Sequence, residues 1–189
     1  MQRILIAVAV FSTLALFGCS ESTTGSNTNT VTNTNTASPS PARSAALSES
    51  DRKFINEAAA GGLAEVELGR LAAQKAHNPD VKKFGERMVT DHSKANDELK
   101  ALAVRKGITP PADLTAEQKE EKESLSKLSG AEFDRKYMKL MVEDHDTDVK
   151  AFEDEGSSAT DPDIKSFAAK TLPTLREHQK MAKEISAKL

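Results

Sequence analysis

Cysteine occurs once in these 189 residues, which rules out an internal disulfide and a Cys-rich zinc or iron–sulfur site. Tryptophan is missing and aromatic residues make up 4% of the chain. No stretch alternates with the period of a strand, and no nucleophile elbow, phosphate loop or Rossmann fingerprint is present. A basic stripe is lacking too. Lys and Arg number 26 against 29 Asp and Glu, and only Arg3, Arg43 and Glu21 of these precede Leu47. The bulk of the chain is mildly acidic, so nucleic acid is not an expected partner. Length and composition fit one ordinary soluble domain with appendages.

The single long apolar run, Ile4 to Phe17 after Arg3, is too short to cross a bilayer and has the size of a signal-peptide hydrophobic region. It ends in Leu16-Phe17-Gly18-Cys19, which resembles the bacterial lipoprotein box. The resemblance implies that residues 1–18 are a signal peptide and that Cys19 is lipidated. Ser20 rather than Asp after the cysteine implies an outer-membrane lipoprotein facing the periplasm, so the membrane is an expected partner through the anchor. From Cys19 to residue 46 the chain is Ser, Thr, Asn, Pro and Ala with almost no charge, a composition expected to serve as an unfolded tether. Residues 47–189 form the domain.

Within the domain the apolar pattern has helical period. Ser48 or Ser50 caps a first helix from near Asp51 to Ala76, in which Gly61, Gly62 and Gly69 leave room for a close neighbour. Asn78-Pro79-Asp80 starts a second helix that runs to about Lys106 and stops at Gly107. Thr109-Pro110-Pro111 marks a crossing loop, followed by a short helix capped by Thr115 with Gln118. Ser129 with Glu132 repeats that capping box for the third long helix, which is expected to end at Gly156. The fourth opens at Asp161-Pro162-Asp163 and contains Pro173, where a kink is expected. The fold class is therefore all-α, four long antiparallel helices with an extra short helix in the central crossover.

Two internal likenesses stand out. Asn78-Pro79-Asp80-Val81-Lys82-Lys83-Phe84 resembles Asp161-Pro162-Asp163-Ile164-Lys165-Ser166-Phe167, and Met88 to His92 resembles Met141 to His145. They imply different repeat lengths, so no duplication is claimed from them.

Histidines occupy positions where the core stripe calls for apolar side chains. Met138, Val142, His145, Val149 and Phe152 form one stripe; His92 and His178 lie on the stripes of two other helices. Each follows an acid (Asp91, Asp144, Glu177), which points away from its neighbour and can reach solvent or orient a histidine of another helix. Asp148 lies one turn after His145 on the same face. Glu65 faces either inward or to the edge of its stripe. His92, His145 and His178 with Asp148 or Glu65 would suit zinc, iron or copper. The competing reading is a buried polar layer that fixes helix register without a ligand. His77, at a helix end, is expected to be solvated.

Glu65 in AAAGGLAEVELGRLA, MVTDHSKANDEL from Met88, MVEDHDTDVKAF from Met141 and LPTLREHQKMA from Leu172 together resemble the DUF4142 family across nearly the whole domain. That resemblance implies a ferritin-like helical bundle in a bacterial envelope protein, and no particular activity. The wider ferritin-like pattern places Glu-x-x-His on two helices. Here Val89 and Leu175 stand three residues before His92 and His178, so a carboxylate di-iron oxidase is not expected. The leading expectation is a lipid-anchored, non-enzymatic interaction or stress-related module of the envelope. The alternatives are a divalent-metal-binding protein using the core histidines and an iron-dependent redox enzyme. The residues are compatible with a homodimer.

The lipoprotein reading predicts that Cys19→Ser releases the domain from the membrane fraction or leaves an uncleaved precursor. Normal cleavage with unchanged membrane partition of that variant would refute it.

Overall fold

Among the described residues, four of the five helices begin where a side-chain oxygen accepts from their first free amides. The computed structural model describes residues 47–189; the expected signal peptide, Cys19 and the expected tether lie outside them. Helix α1 is Glu49–Lys75 with Ser48 as its cap, α2 is Pro79–Arg105 with Asn78, and α3 is Ala116–Ser126 with the reciprocal Thr115–Gln118 capping box. Helix α4 is Gly130–Ser158, and α5 is Pro162–Ser186 with Asp161 binding the amides of Asp163 and Ile164. Among the described residues there is no strand, and no helix is long and apolar enough to cross a membrane.

Three local expectations differ from the structure. Ser129 makes no side-chain capping bond; Gly130 follows it with φ 57°, which turns the first helical residue away from the geometry an N-cap hydroxyl needs. Gly156 does not end α4, which continues to Ser158, because the following turn is closed by a side chain from another helix. Gly61 has open space around it, whereas a Cβ on Gly62 would lie 2.1 Å from Asn96 Oδ1 and one on Gly69 2.8 Å from the Gly85 carbonyl. Only the latter two glycines admit a neighbour. Pro173 lies inside α5 without ending it.

Helices α1 and α2 pack as one hairpin and α4 and α5 as another, and the hairpins meet through α1 against α4 and α2 against α5. Asp51, at the start of α1, binds the turn after α4, so α1 and α4 run antiparallel. Helix α2 therefore runs parallel to α4, and the segment carrying α3 makes the long crossover between them. One long crossover in a four-helix bundle is the ferritin-like connection. The apolar core falls into two clusters, one around Phe54, Ile55, Leu99, Phe152 and Ile164, the other around Phe84, Met88, Phe133, Tyr137 and Met141. Between the two clusters every long helix buries a polar side chain: Glu65, His92, His145 and His178.

The hairpins are fastened by a reciprocal exchange. Asp51 accepts from Thr160 N, Thr160 Oγ1 and Asp161 N at 3.3, 2.6 and 3.1 Å. Asp134, early in α4, accepts from His77 N at 3.0 Å and Asn78 N at 2.7 Å. Each aspartate closes the turn of the opposite hairpin. Asp51 and Asp134, Asn78 and Asp161, and Phe84 and Phe167 stand at one constant separation in sequence, so the first likeness corresponds to a pseudo-two-fold relation between hairpins. The likeness between Met88 and Met141 has no such counterpart. It arises because α2 and α4 bury similar stripes.

The two ends differ in one respect. The residue equivalent to Glu155 is Ala72, so Asp134 has an apolar neighbour where Asp51 has a buried carboxyl. Glu155 is 7% exposed and its Oε1 is buried without a partner. Burial, the adjacent Asp51 charge and a hydrogen bond to Asp51 push Glu155 up to about 7. The folded state thus holds a proton that the unfolded chain releases near its ordinary value of 4.5.

Two stability predictions follow from this packing. Gly69→Ala forces apart a backbone contact and should cost about 1–3 kcal/mol before a helix-propensity gain of about 1 kcal/mol, whereas Gly61→Ala should only gain; opposite shifts in denaturant midpoint are the check. For Glu155, stabilisation is greatest at low pH and is lost as pH rises through the window from about 4.5 to about 7. Glu155→Gln keeps the neutral hydrogen-bonding form, so its melting temperature relative to the unaltered protein should climb across that window. A difference that stays flat with pH would refute the shared proton.

Candidate metal centre

The buried polar layer takes one residue from each long helix: Glu65 on α1, His92 on α2, His145 on α4 and His178 on α5. None is more than 6% exposed. They are inside because each sits on a stripe whose other members are apolar: Leu68 and Ala72 follow Glu65, Met88 and Leu99 flank His92, Met141 and Val149 flank His145, Leu175 and Ala182 flank His178. The imidazole centroids form a nearly equilateral triangle, 5.6 Å from His92 to His145, 5.3 Å from His92 to His178 and 5.4 Å from His145 to His178. One ring nitrogen from each lies within 4.8 Å of those of the other two.

Two of the rings, those of His145 and His178, have an outer partner, and all three have a buried nitrogen without one. His145 Nδ1 lies 2.9 Å from the Met141 carbonyl, which can only accept, so the proton is on Nδ1 and Nε2 keeps its lone pair. His178 Nε2 lies 2.8 Å from Asp91 Oδ2, which by the same argument leaves Nδ1 unprotonated. His92 Nδ1 comes within 2.7 Å of Glu65 Oε2, and Glu65 Oε1 stands 3.5 Å from His145 Nε2. Neither contact has the alignment of a hydrogen bond, and both Glu65 oxygens count as unpartnered. The atoms without a partner also include His92 Nε2, His145 Nε2 and His178 Nδ1.

Electrostatics favours uncharged rings. Burial pushes His92 down to about 4, outweighing the nearby Asp148 and Asp91. It pushes His178 down to about 4 despite the Asp91 bond, with the other two imidazoles adding to the shift. Burial also lowers His145 against the pull of Glu65. The acids move the other way: burial raises Glu65 to about 7, and burial with the Glu65 charge raises Asp148 to about 8. Near neutral pH the centre is three neutral imidazoles beside two carboxyls that hold protons for part of the time.

A polar layer that only fixed register would be expected to satisfy its own hydrogen bonds, because each buried unsatisfied group costs about 1–3 kcal/mol. This one does not. Three ring nitrogens within 4.8 Å of one another, with two of the rings oriented by a partner on the far nitrogen, are an arrangement that would suit metal ligation. Bonds of about 2.0–2.1 Å in a tetrahedral shell would place nitrogens about 3.4 Å apart, so the rings need only rotate inward for the residues present to fit an ion.

Of the five residues that the sequence nominates as ligands, the structure brings the three histidines together. Glu65 is inside, beside His92 and His145. Asp148 is half-buried and lines a cavity of about 30 Å³ with Glu65, Asp91, His92 and His178; its charge acts on His92, and His145 does not line that space. His77 is exposed. Asp91 does reach across to a histidine of another helix. Sequence reasoning missed what holds Asp91: Arg87 Nε donates to its Oδ2 at 3.1 Å while Nη1 and Nη2 grip Glu177 at 3.0 and 2.8 Å. An Arg four residues before an Asp on one helix was the available signal. The Met141 carbonyl carries no sequence signal.

Comparison with solved structures identifies the same fold. A DUF305 fragment from Deinococcus radiodurans superposes with a TM-score of 0.66 at 14% identity, covering 76% of this chain and 99% of that one. A secreted DUF305 protein from Streptomyces coelicolor gives 0.63 at 14% identity, covering 74% and 91%. CopM in its Cu(I)-bound form gives 0.60 at 19% identity, covering 71% and 93%. At these identities the similarity is one of fold. No curated protein matches this chain. The model of the family described as a domain of unknown function, DUF4142, matches residues 36–185, and the chain belongs to that family.

Proposed function

We propose that this protein is a metal-binding helical module of the bacterial envelope, held to the outer membrane through Cys19 and presenting its domain to the periplasm. The observation that carries the metal reading is the set of inward nitrogens on His92, His145 and His178, all buried and unpartnered. The anchor rests on Leu16-Phe17-Gly18-Cys19 and the tether that follows. Three imidazoles without thiolates suit a borderline ion, zinc or copper, better than the oxygen-rich shells that hard cations take. The structurally similar CopM was solved in Cu(I)-, Cu(II)- and Ag-bound forms, which favours copper. Asp91 and the Met141 carbonyl orient the ligands, and Glu65 sets His92 rather than completing the shell, since its oxygens fall outside the group of converging atoms. A non-enzymatic role in sequestering or handing on the ion fits a site enclosed by apolar side chains.

The test uses the full chain stripped of metal. Zinc or copper at one hundred times its dissociation constant should stabilise the fold by about 2.7 kcal/mol, a rise in melting temperature of about 5–10 °C. His145→Ala should abolish that rise and His77→Ala should leave it intact. Because His92 and His178 stay neutral down to about 4, binding should persist at pH 5.5 and fail only as the pH nears 4. If zinc, copper and iron salts all leave melting unchanged at neutral pH, the metal reading is wrong.

A further inference from the structure

We propose that ions reach the histidines along the seam between α2 and α5, where Asp91 joins an outer groove to the inner cavity; the inference rests on the metal reading above. The groove has a volume of about 130 Å³ and is lined by Asp91, Ala95, Glu98, Lys170, Thr171 and Thr174, with Lys94 at its rim. The inner cavity, about 30 Å³, shares Asp91, Ala95, Thr171 and Thr174 with it and reaches His92 and His178. Two spaces that share four lining residues adjoin along this seam, and the proposed route joins them where those residues part. The remaining surroundings of the triad are closed: Phe84 packs edge-on against His145 and His178, and Leu99, Phe152 and Leu175 close the cavity on the side of the other core cluster.

The chemistry of this seam suits a small cation. The inner space takes about one water-sized body, so a hydrated ion must shed most of its shell before it meets the nitrogens. At the shared segment the Asp91 carboxylate and the hydroxyls of Thr171 and Thr174 are the side-chain oxygens offered in place of that water, with Glu65, Asn96 and Asp148 lining the inner cavity beyond. Asp91 is 30% exposed at its side chain, so it faces the groove, while its Oδ2 holds His178. It is thus an oxygen ligand at the entrance to the inner cavity and the support of a nitrogen ligand within it. Lys170 Nζ pairs with Glu98 Oε2 at 2.7 Å, a surface ion pair that straps α5 to α2 across the mouth. The passage admits a bare or partly hydrated ion such as Zn²⁺ or Cu²⁺ and excludes a chelated one.

The experiment separates route from site by measuring rates as well as affinity. Zinc and copper(II) salts are mixed with the metal-free full chain in a stopped-flow instrument, and release is then driven by a chromophoric chelator. Thr171→Leu with Thr174→Leu plugs the shared segment and should slow loading and release together by about tenfold or more, leaving the dissociation constant within about twofold. Lys170→Ala removes the strap and should speed both. Ala112→Leu, which fills the separate groove between α1 and α3, should change neither. Unchanged rates in the plugged variant, or weaker affinity with unchanged loading, would overturn the route. If the plugged variant loses its helicity, Lys170→Ala decides alone, and unchanged loading there overturns it. Failure of the unaltered protein to bind either ion overturns the route, and the metal reading with it when iron also leaves melting unchanged, whereas binding with rates indifferent to the seam overturns the route only.

Discussion

The bundle is built around a desolvation cost at its centre. Burying Glu65 and three histidines in a core of Leu, Phe and Met is unfavourable unless each polar atom finds a partner. Only the outward ring atoms of His145 and His178 do. The response of the fold is to discharge the layer: the rings lose their protons, the carboxyls gain them, and the remaining penalty falls on lone pairs rather than on ions. A cation is the ligand that would satisfy those lone pairs together. The cost therefore describes what the centre would bind.

That cost is carried by fastenings placed far from it. Asp51 and Asp134 sit at opposite ends of the molecule, and each binds backbone amides in the turn of the other hairpin. Charge-assisted bonds from a carboxylate to amides are among the stronger ones available. Burial would raise the Asp51 carboxyl, but bonds from Thr160, Ser48 and Asp161 outweigh it and hold the group below its ordinary value. With both hairpin ends fixed, the four helices cannot slide past one another to relieve the strained middle. Registration of the triad follows from the ends.

The sequence displayed the stripes, the caps and the crossover because these are local and periodic. Asn78-Pro79-Asp80, Asp161-Pro162-Asp163 and Thr115 with Gln118 declare helix starts by their own chemistry. The convergence of His92, His145 and His178 was legible as inward placement on three stripes, but not as a triangle, since the heights of three helices in a bundle are not written in any one of them. Glu65 was undecidable from a broad stripe and proves to be inside. Ser129 misled because its sequence fits a capping box while Gly130 takes a left-handed conformation that no pattern of polarity reveals. The Asp51 and Asp134 exchange was missed because it links residues far apart in the chain, although the matching turns at Asn78 and Asp161 were visible.

The pseudo-symmetry also bears on how many ions the centre is shaped for. Glu65 and Asp148 occupy equivalent positions in the two hairpins, so the carboxyls obey the relation. The histidines break it. The position equivalent to His92 is Leu175, that equivalent to His178 is Ala95, and that equivalent to His145 is Gly62. An evenly built pair of ion sites would need nitrogen ligands in both halves at matching places. Instead the bulk of His145 and His178 is answered by glycine and alanine in the other hairpin, and the space over Gly62 is taken by Asn96. The three histidines are thereby gathered around a single point, with the two carboxyls placed beside it. A two-fold scaffold has been turned into a one-sided centre, and under the proposed metal reading that asymmetry would suit one ion rather than a pair.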